Sequence, residues 1–494
     1  MSAGSFAVGS ESVERAGASA RMLAATAVLS GFAAGALPGN RLGLGAVLVA
    51  GGVTALVAWA RATPWRPETI AYAALALGLA SMFAVRSAGW VVALDGLAAA
   101  GLAALAVAGG GTWEEVRRAP LVVASRAAEA VPYVARGASR LTAGRRFSPA
   151  LRGMAVGAAL VAVFGGLFIS ADRAFAELAR DVLLPDIDVA LLPARVAVFV
   201  GVAVAATALV IAGPRFAHLG PPRLLVAMRG AMFQEGEGGE RRRWSGLAPI
   251  EWMVALGLLD LLFVAFVVVQ VAVLFAGHDH VLRTAGLTYA EYAREGFFQL
   301  LVAAALTLAV VAGASRWAGP RGDRHRRILE VLLGLLLLLT LVVLASALKR
   351  LLLYEEAFGF TRLRISVHAV ILWLAGVLVM VMAAGAFRRG RWLPRAVVGF
   401  SAAALLVFNL MNPDALVASR NVERYEEIGR VDLPYLAGLS ADAVPSLLGL
   451  PRRLPACAFL PHRELFTEPD PWPGWNLARA RAVQEESGDI QCSR

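Results

Sequence analysis

The sequence predicts an all-α, polytopic transmembrane helix bundle of about eleven spans, N terminus inside and C terminus outside, with a short extracytoplasmic tail. Three observations carry that reading. The 494 residues are 58% hydrophobic and 17% charged, with a mean hydropathy of +0.66, whereas soluble domains keep about a quarter of their residues charged. The apolar residues fall into about eleven runs near the length that crosses a hydrocarbon core about 30 Å thick. The arginines gather in alternate loops between those runs.

A window of about nineteen residues places spans near 22–38, 42–60, 69–86, 90–108, 153–170, 193–213, 250–276, 297–315, 328–348, 365–386 and 396–411. Helices are required, because lipid offers no other partner to the backbone polar groups, and a barrel would show alternating strands. Residues 1–21 form a cytoplasmic segment without a short basic leader, so the first span reads as uncleaved. Residues 22–108 hold four Ala/Gly-rich transmembrane helices, and 109–152 form a basic cytoplasmic loop. In that loop Trp113, Val116, Leu121, Val134 and Leu141 oppose Arg117, Arg118, Arg126, Arg136 and Arg140, which predicts an amphipathic helix on the inner leaflet, broken at Pro120 and Pro132. Residues 153–411 make a seven-helix core with a glycine-rich linker at 234–246. Its last span is short, about 24 Å if helical. The tail, 412–494, starts with a helix capped by Asn412 and reaching about Ile428, and its prolines predict irregular chain beyond.

Orientation follows from charge. With the N terminus inside, the inner segments hold 27 arginines and the outer loops 10 Lys plus Arg, as the positive-inside rule requires. The net charge of +11 is spread over those loops instead of gathered on one domain with stacking aromatics. It therefore points to anionic inner-leaflet lipid as partner and excludes nucleic acid. Cys457 and Cys492 are the only cysteines and lack metal or redox spacing. With the tail outside, a disulfide between them is the expectation.

Few polar residues lie where lipid should exclude them. Asp260 sits about ten residues into the seventh span, where an ionised carboxylate costs on the order of 3 kcal/mol. It is the candidate buried ionisable group, as a proton or cation site or as a neutral acid that fixes packing. Gln270 on the same span suits interhelical hydrogen bonding. Glu251 and Glu330 fall in first helical turns, where the dipole favours an anion. Asp95 and Arg195 lie near span ends, within snorkelling reach. His278-Asp279-His280 does not converge as a metal site on a helix, and no cofactor, metal or enzyme motif is present in usable context.

On the outer side, Thr288-Tyr289-Ala290-Glu291 forms a capping box that puts Tyr289, Tyr292 and Arg294 at headgroup height. Three blocks then bear a family likeness: Leu287 to Phe298 (LTYAEYAREGFF), Tyr354 to Arg364 (YEEAFGFTRLR) and Asn412 to Ala418 (NPDALVA). In order and spacing they resemble the bacterial membrane family catalogued as domain of unknown function 4173, related to 4153, over about 150–450. Where that pattern has Tyr-Gly ahead of Thr-x-x-Arg, this chain has Phe358-Gly359. The resemblance implies a multi-pass membrane protein and brings no activity or ligand with it. The leading expectation is a transport or permeation module for a small solute or ion. Asp260 is its buried group, and an outer rim of Tyr289, Tyr292, Arg294, Tyr354, Arg362, Arg364, His368 and Asn409 shapes access. The alternative is a non-transporting signalling or envelope-assembly module that binds a partner through its tail or basic loops.

Overall fold

A computed structural model of the chain describes residues 18–61, 66–143, 191–213, 249–275, 297–318, 322–388, 390–448 and 469–489. Every helix or strand among them is a helix. Eight helices in these segments are long and apolar enough to cross a membrane, and Ala20–Ala36 and Leu44–Ala60 are shorter apolar helices. The chain is a multi-pass membrane protein. The expected span at 153–170, the linker at 234–246, Tyr289, Tyr292, Arg294, His278, His280, Cys457 and Cys492 lie outside the described residues.

The chain divides into two compact units. Unit 1 takes Met1–Glu235, Ser440–Asp442 and Pro461–Arg494. Its helices are α1 (Ala20–Ala36), α2 (Leu44–Ala60), α3 (Pro67–Ser81), α4 (Gly89–Ala108), α5 (Trp113–Ala143) and α6 (Leu192–Ile211). Ser19 caps α1 by accepting from the Met22 amide at 3.3 Å. The buried face of α1 is Met22, Thr26, Ser30 and Ala33, a spacing of four, four and three that keeps one stripe inward. Its small residues let α1 lie close to α6.

One end of unit 1 is closed by α5. The starts of α1 and the ends of α2, α4 and α6 meet there in a core of Met22, Leu56, Val57, Val107, Val210 and Ile211, joined by Tyr133 of α5. Glu115 near the start of α5 accepts from the Gly111 amide just beyond α4, and the Tyr133 carbonyl accepts from the Ala18 amide just before α1. A helix that touches both of these ends runs across the helix tips. Here the expected break fails, because α5 continues through Pro120 and Pro132. Both prolines lie on the exposed face, while Ala119, Ser125, Ala130, Tyr133 and Gly137 are buried on the other. Each proline removes one hydrogen bond, and packing along the opposite side holds the helix together. Asp95 lies near the start of α4 as expected but is fully buried, so it does not snorkel.

Unit 2 takes Gly236–Leu439 and Ala443–Leu460. It holds α7 (Pro249–Phe275), α8 (Phe297–Trp317), α9 (Asp323–Phe358), α10 (Arg362–Ala386), α11 (Leu393–Leu410), α12 (Pro413–Ile428), α13 (Leu433–Ala437) and α14 (Val444–Leu447). Helices α7 and α9 run parallel, since Trp252 and Leu256 pack on Leu329 while Gln270 bonds Ser346 and Arg350. Two spans are longer than the sequence window allowed. A 3-10 turn at Gly390–Trp392 extends α11 to Gly390–Leu410, so the last span is not short. Pro394 in its first turn lets the helix begin among Arg391 and Arg395, charges that a hydropathy window discounts. Helix α9 runs for 36 residues and carries Tyr354 to Phe358 as its last turns. Glu330 is consequently not in its first turn. It pairs with Arg326 at 3.3 Å and Arg388 at 2.8 Å.

The tail departs from the irregular expectation. Its first helix does end at Ile428, and α13, α14 and α15 (Leu477–Asp489), the last in unit 1, follow. Asn412 does not cap α12: its backbone is left-handed at φ 53°, and its side-chain oxygen bonds no helix amide. Residues of the tail close the end of unit 1 opposite α5. Asp442 accepts from the Ser87 amide at 2.7 Å, the Ser87 hydroxyl at 2.8 Å and the Ala88 amide at 3.0 Å, and so caps α4. Asn476 donates to the carbonyls of Phe83 and Arg86 at 3.0 and 2.9 Å while its oxygen accepts from the amides of Ala478 and Arg479. Gly43 meets the backbone of Gly474 so closely that a Cβ there would collide with it.

Candidate functional site

The candidate site is built along α7, α9 and α10 of unit 2. The inward stripe of α7 is Trp252, Leu256, Asp260, Phe263, Val267 and Gln270, spaced four, four, three, four and three. Asp260 therefore occupies a core position by register, and only 4% of it is exposed. Neither carboxylate oxygen has a hydrogen-bond partner among the described residues. A buried carboxyl normally collects two or more donors, so an unmatched one marks a place where something other than a protein donor can bind.

The Thr340 hydroxyl and the Gln270 carbonyl of the same bundle are matched. The Thr340 hydroxyl donates to the Leu336 carbonyl at 2.7 Å and lies 3.2 Å from the Thr307 hydroxyl, tying α9 to α8. Gln270 accepts from Ser346 at 3.0 Å and from Arg350 at 2.9 Å, the interhelical role its position predicts.

The far end of α9 supplies a second carboxyl. Thr340, Leu344, Ala347, Leu351 and Glu355 follow one another at helical spacing on the face that packs against α8 and α10. Glu355 is 2% exposed, and its one polar side-chain contact among the described residues is Nδ1 of His368 at 3.3 Å. The same nitrogen lies 3.2 Å from the Arg364 carbonyl. Gly359 (φ +76°) ends α9, donating to the Glu355 carbonyl at 2.8 Å. A side chain there would be strained in φ and would meet Asn421. Asn421 of α12 grips the turn through the Phe360 amide and carbonyl, and Thr361 caps α10.

Around this corner the charges are paired. Arg362 donates to both oxygens of Asp414 at 2.8 and 2.6 Å, a bidentate bridge to a carboxylate that is fully buried. The Arg362 amide donates to the Tyr435 hydroxyl at 2.7 Å, and burial pushes that phenol above its ordinary value. The Arg364 guanidinium sits 4.4 Å from the centre of the Tyr354 ring and donates to the Gly359 carbonyl. Tyr354, Arg362, Arg364 and His368, expected as a rim, are thus half-buried and engaged with one another's neighbours. Asn409 is fully buried and donates to the Leu405 carbonyl at 2.9 Å.

Sequence reasoning picked out Asp260, which is buried, and did not pick out the buried Glu355 and Asp414. The signal for Glu355 is present: continuing the Leu344, Ala347, Leu351 stripe by one helical step reaches it. No curated protein and no solved structure matches the chain. The family model described as Domain of unknown function (DUF4153) matches residues 73–450, starting within α3 and passing the end of α14. That stretch takes in Asp260, the Glu355 corner and the Asp414 bridge, and it is well over half of the sequence: the chain belongs to the DUF4153 family.

Proposed function

We propose that the protein is a multi-pass cell-membrane permeation module for a small ion, in which unit 2 carries the path and Asp260 is the internal binding group. The observation that carries this reading is the bare carboxyl of Asp260 in the stripe of α7 that faces α9. An ionised carboxylate at mid-span costs on the order of 3 kcal/mol, and a bound proton or cation cancels that cost. A group matched by protein donors has no reason to exchange a ligand; this one has no donor to compete with among the described residues. Proton or cation is the ligand class that an acidic group recognises.

The orientation with N terminus inside draws support from unit 1, where α5 and the tail residues Asp442 and Asn476 close opposite ends of the same helices. With the arginine-rich α5 on the inner leaflet against anionic lipid, the tail falls outside. The three sequence blocks support a finer placement in the related group 4173.

The test is flux in proteoliposomes loaded with pH- and cation-sensitive dyes. Wild type conducts, and Asp260→Asn, which keeps shape but cannot ionise, abolishes conduction while the protein stays folded. Equal conduction by wild type and variant would sink the reading.

A further inference from the structure

The Glu355 corner contains a carboxyl whose charge no fixed cation among the described residues balances. Its place near the end of α9 adds to the problem, because the last carbonyls of a helix carry partial negative charge. The neighbouring ionisable groups are occupied elsewhere. On α9, Arg350 serves Gln270, and Lys349 and Glu356 flank the stripe without joining it. On α10, Arg362 serves Asp414, and Arg364 serves Tyr354 and Gly359. On α12, Arg420 pairs with Glu423 at 3.0 Å, and Arg424 packs beside Gly359. Tyr435 of α13 accepts from the Arg362 amide. The described parts of α7, α8 and α11 bring no ionisable side chain to this end of the bundle. Among the described residues only His368 faces the carboxyl.

The geometry of the imidazole is informative. A backbone carbonyl can only accept, so the tautomer with its hydrogen on Nδ1 is the one that makes the 3.2 Å contact with the Arg364 oxygen a hydrogen bond. Glu355 Oε1 lies 3.3 Å from the same nitrogen. The side chain of His368 is 23% exposed and that of Glu355 2%, so the pair forms a step from the surface to the interior.

We infer that Glu355 and His368 form a proton-binding dyad that takes up a proton at the surface-facing imidazole and stores it on the buried carboxyl. Addition of a proton at Nε2 lets the Nδ1–H bond break as an O–H bond forms at Oε1. The ring is left neutral with its hydrogen on Nε2, and the carboxyl is left neutral in its apolar surroundings. Release runs the same steps in reverse. As a loading station for the path through Asp260 the dyad rests on the permeation reading; as a proton site it does not.

The experiment is infrared spectroscopy of the full chain in lipid nanodiscs, following the carbonyl stretch of protonated carboxyls as pH is stepped. Glu355→Gln removes one component of that band, and Asp260→Asn leaves this component in place. His368→Gln keeps the component and slows its hydrogen–deuterium exchange roughly tenfold or more, because the relay is lost. The dyad is overturned if Glu355→Gln removes nothing, or if exchange in His368→Gln matches wild type. Proteoliposome flux separates the two proposals. A silent wild type with the Glu355 component present refutes permeation and supports the dyad, whereas conduction with an unaltered pH profile in Glu355→Gln overturns its loading role.

Discussion

Asp442 of unit 1 and Asp260 of unit 2 are both buried, and the fold treats the two carboxyls in opposite ways. In unit 1, Asp442 gathers two amides and the hydroxyl of Ser87, with the Ser440 hydroxyl at 3.1 Å and Arg86 at 3.4 Å beside them. In unit 2, Asp260 has no donor among the described residues, and Glu355 has only the His368 imidazole 3.3 Å from Oε1. Both units bury an acid, and burial alone does not distinguish them. The donor set does: an acid whose lone pairs are filled by the fold is part of the fold, and an acid left bare is open to a mobile partner.

The sharpest way to break this contrast is to measure what each acid contributes. Asp442→Ala orphans the donors at the start of α4 and should lower stability by about 3 to 5 kcal/mol, read as a fall in thermal midpoint in detergent. Arg362→Ala strands the buried Asp414 and should cost about 3 kcal/mol, with Asp414→Asn milder in the same assay. Asn476→Ala removes two hydrogen bonds that join the tail to the α3–α4 turn and two that cap α15, for about 2 kcal/mol. Asp260→Leu should change stability by less than about 1 kcal/mol, or raise it, since no protein donor is orphaned by the loss. A destabilisation by Asp260→Leu equal to that of Asp442→Ala would erase the distinction.

Much of the bundle was legible because lipid narrows the choices. Apolar runs must be helices, and the spacing of Trp252, Leu256, Asp260 and Gln270 already puts Asp260 inward. Glu355 was less legible because a hydropathy window stops at Lys349 and Arg350, whereas the helix continues past them with its buried stripe intact. Pro120 and Pro132 read as breaks because sequence records the lost hydrogen bonds and not the packing that offsets them. The return of Asp442 and Asn476 to the α3–α4 turn leaves no local pattern at all. Its partners are more than 350 residues apart, and nothing between them carries a period.

That long-range return sets an order of events during synthesis. Asn476 follows Arg86 by 390 residues, which at roughly 5 to 20 residues per second takes about 20 to 80 s. Through that interval α1 to α4 have emerged while the donors of Ser87 and Ala88 and the carbonyls of Phe83 and Arg86 still wait for their partners. Unit 1 is therefore begun first and finished last. A ribosome that stalls anywhere before Asp442 leaves an end of the bundle with open polar groups, a feature that quality control can recognise as an unfinished chain.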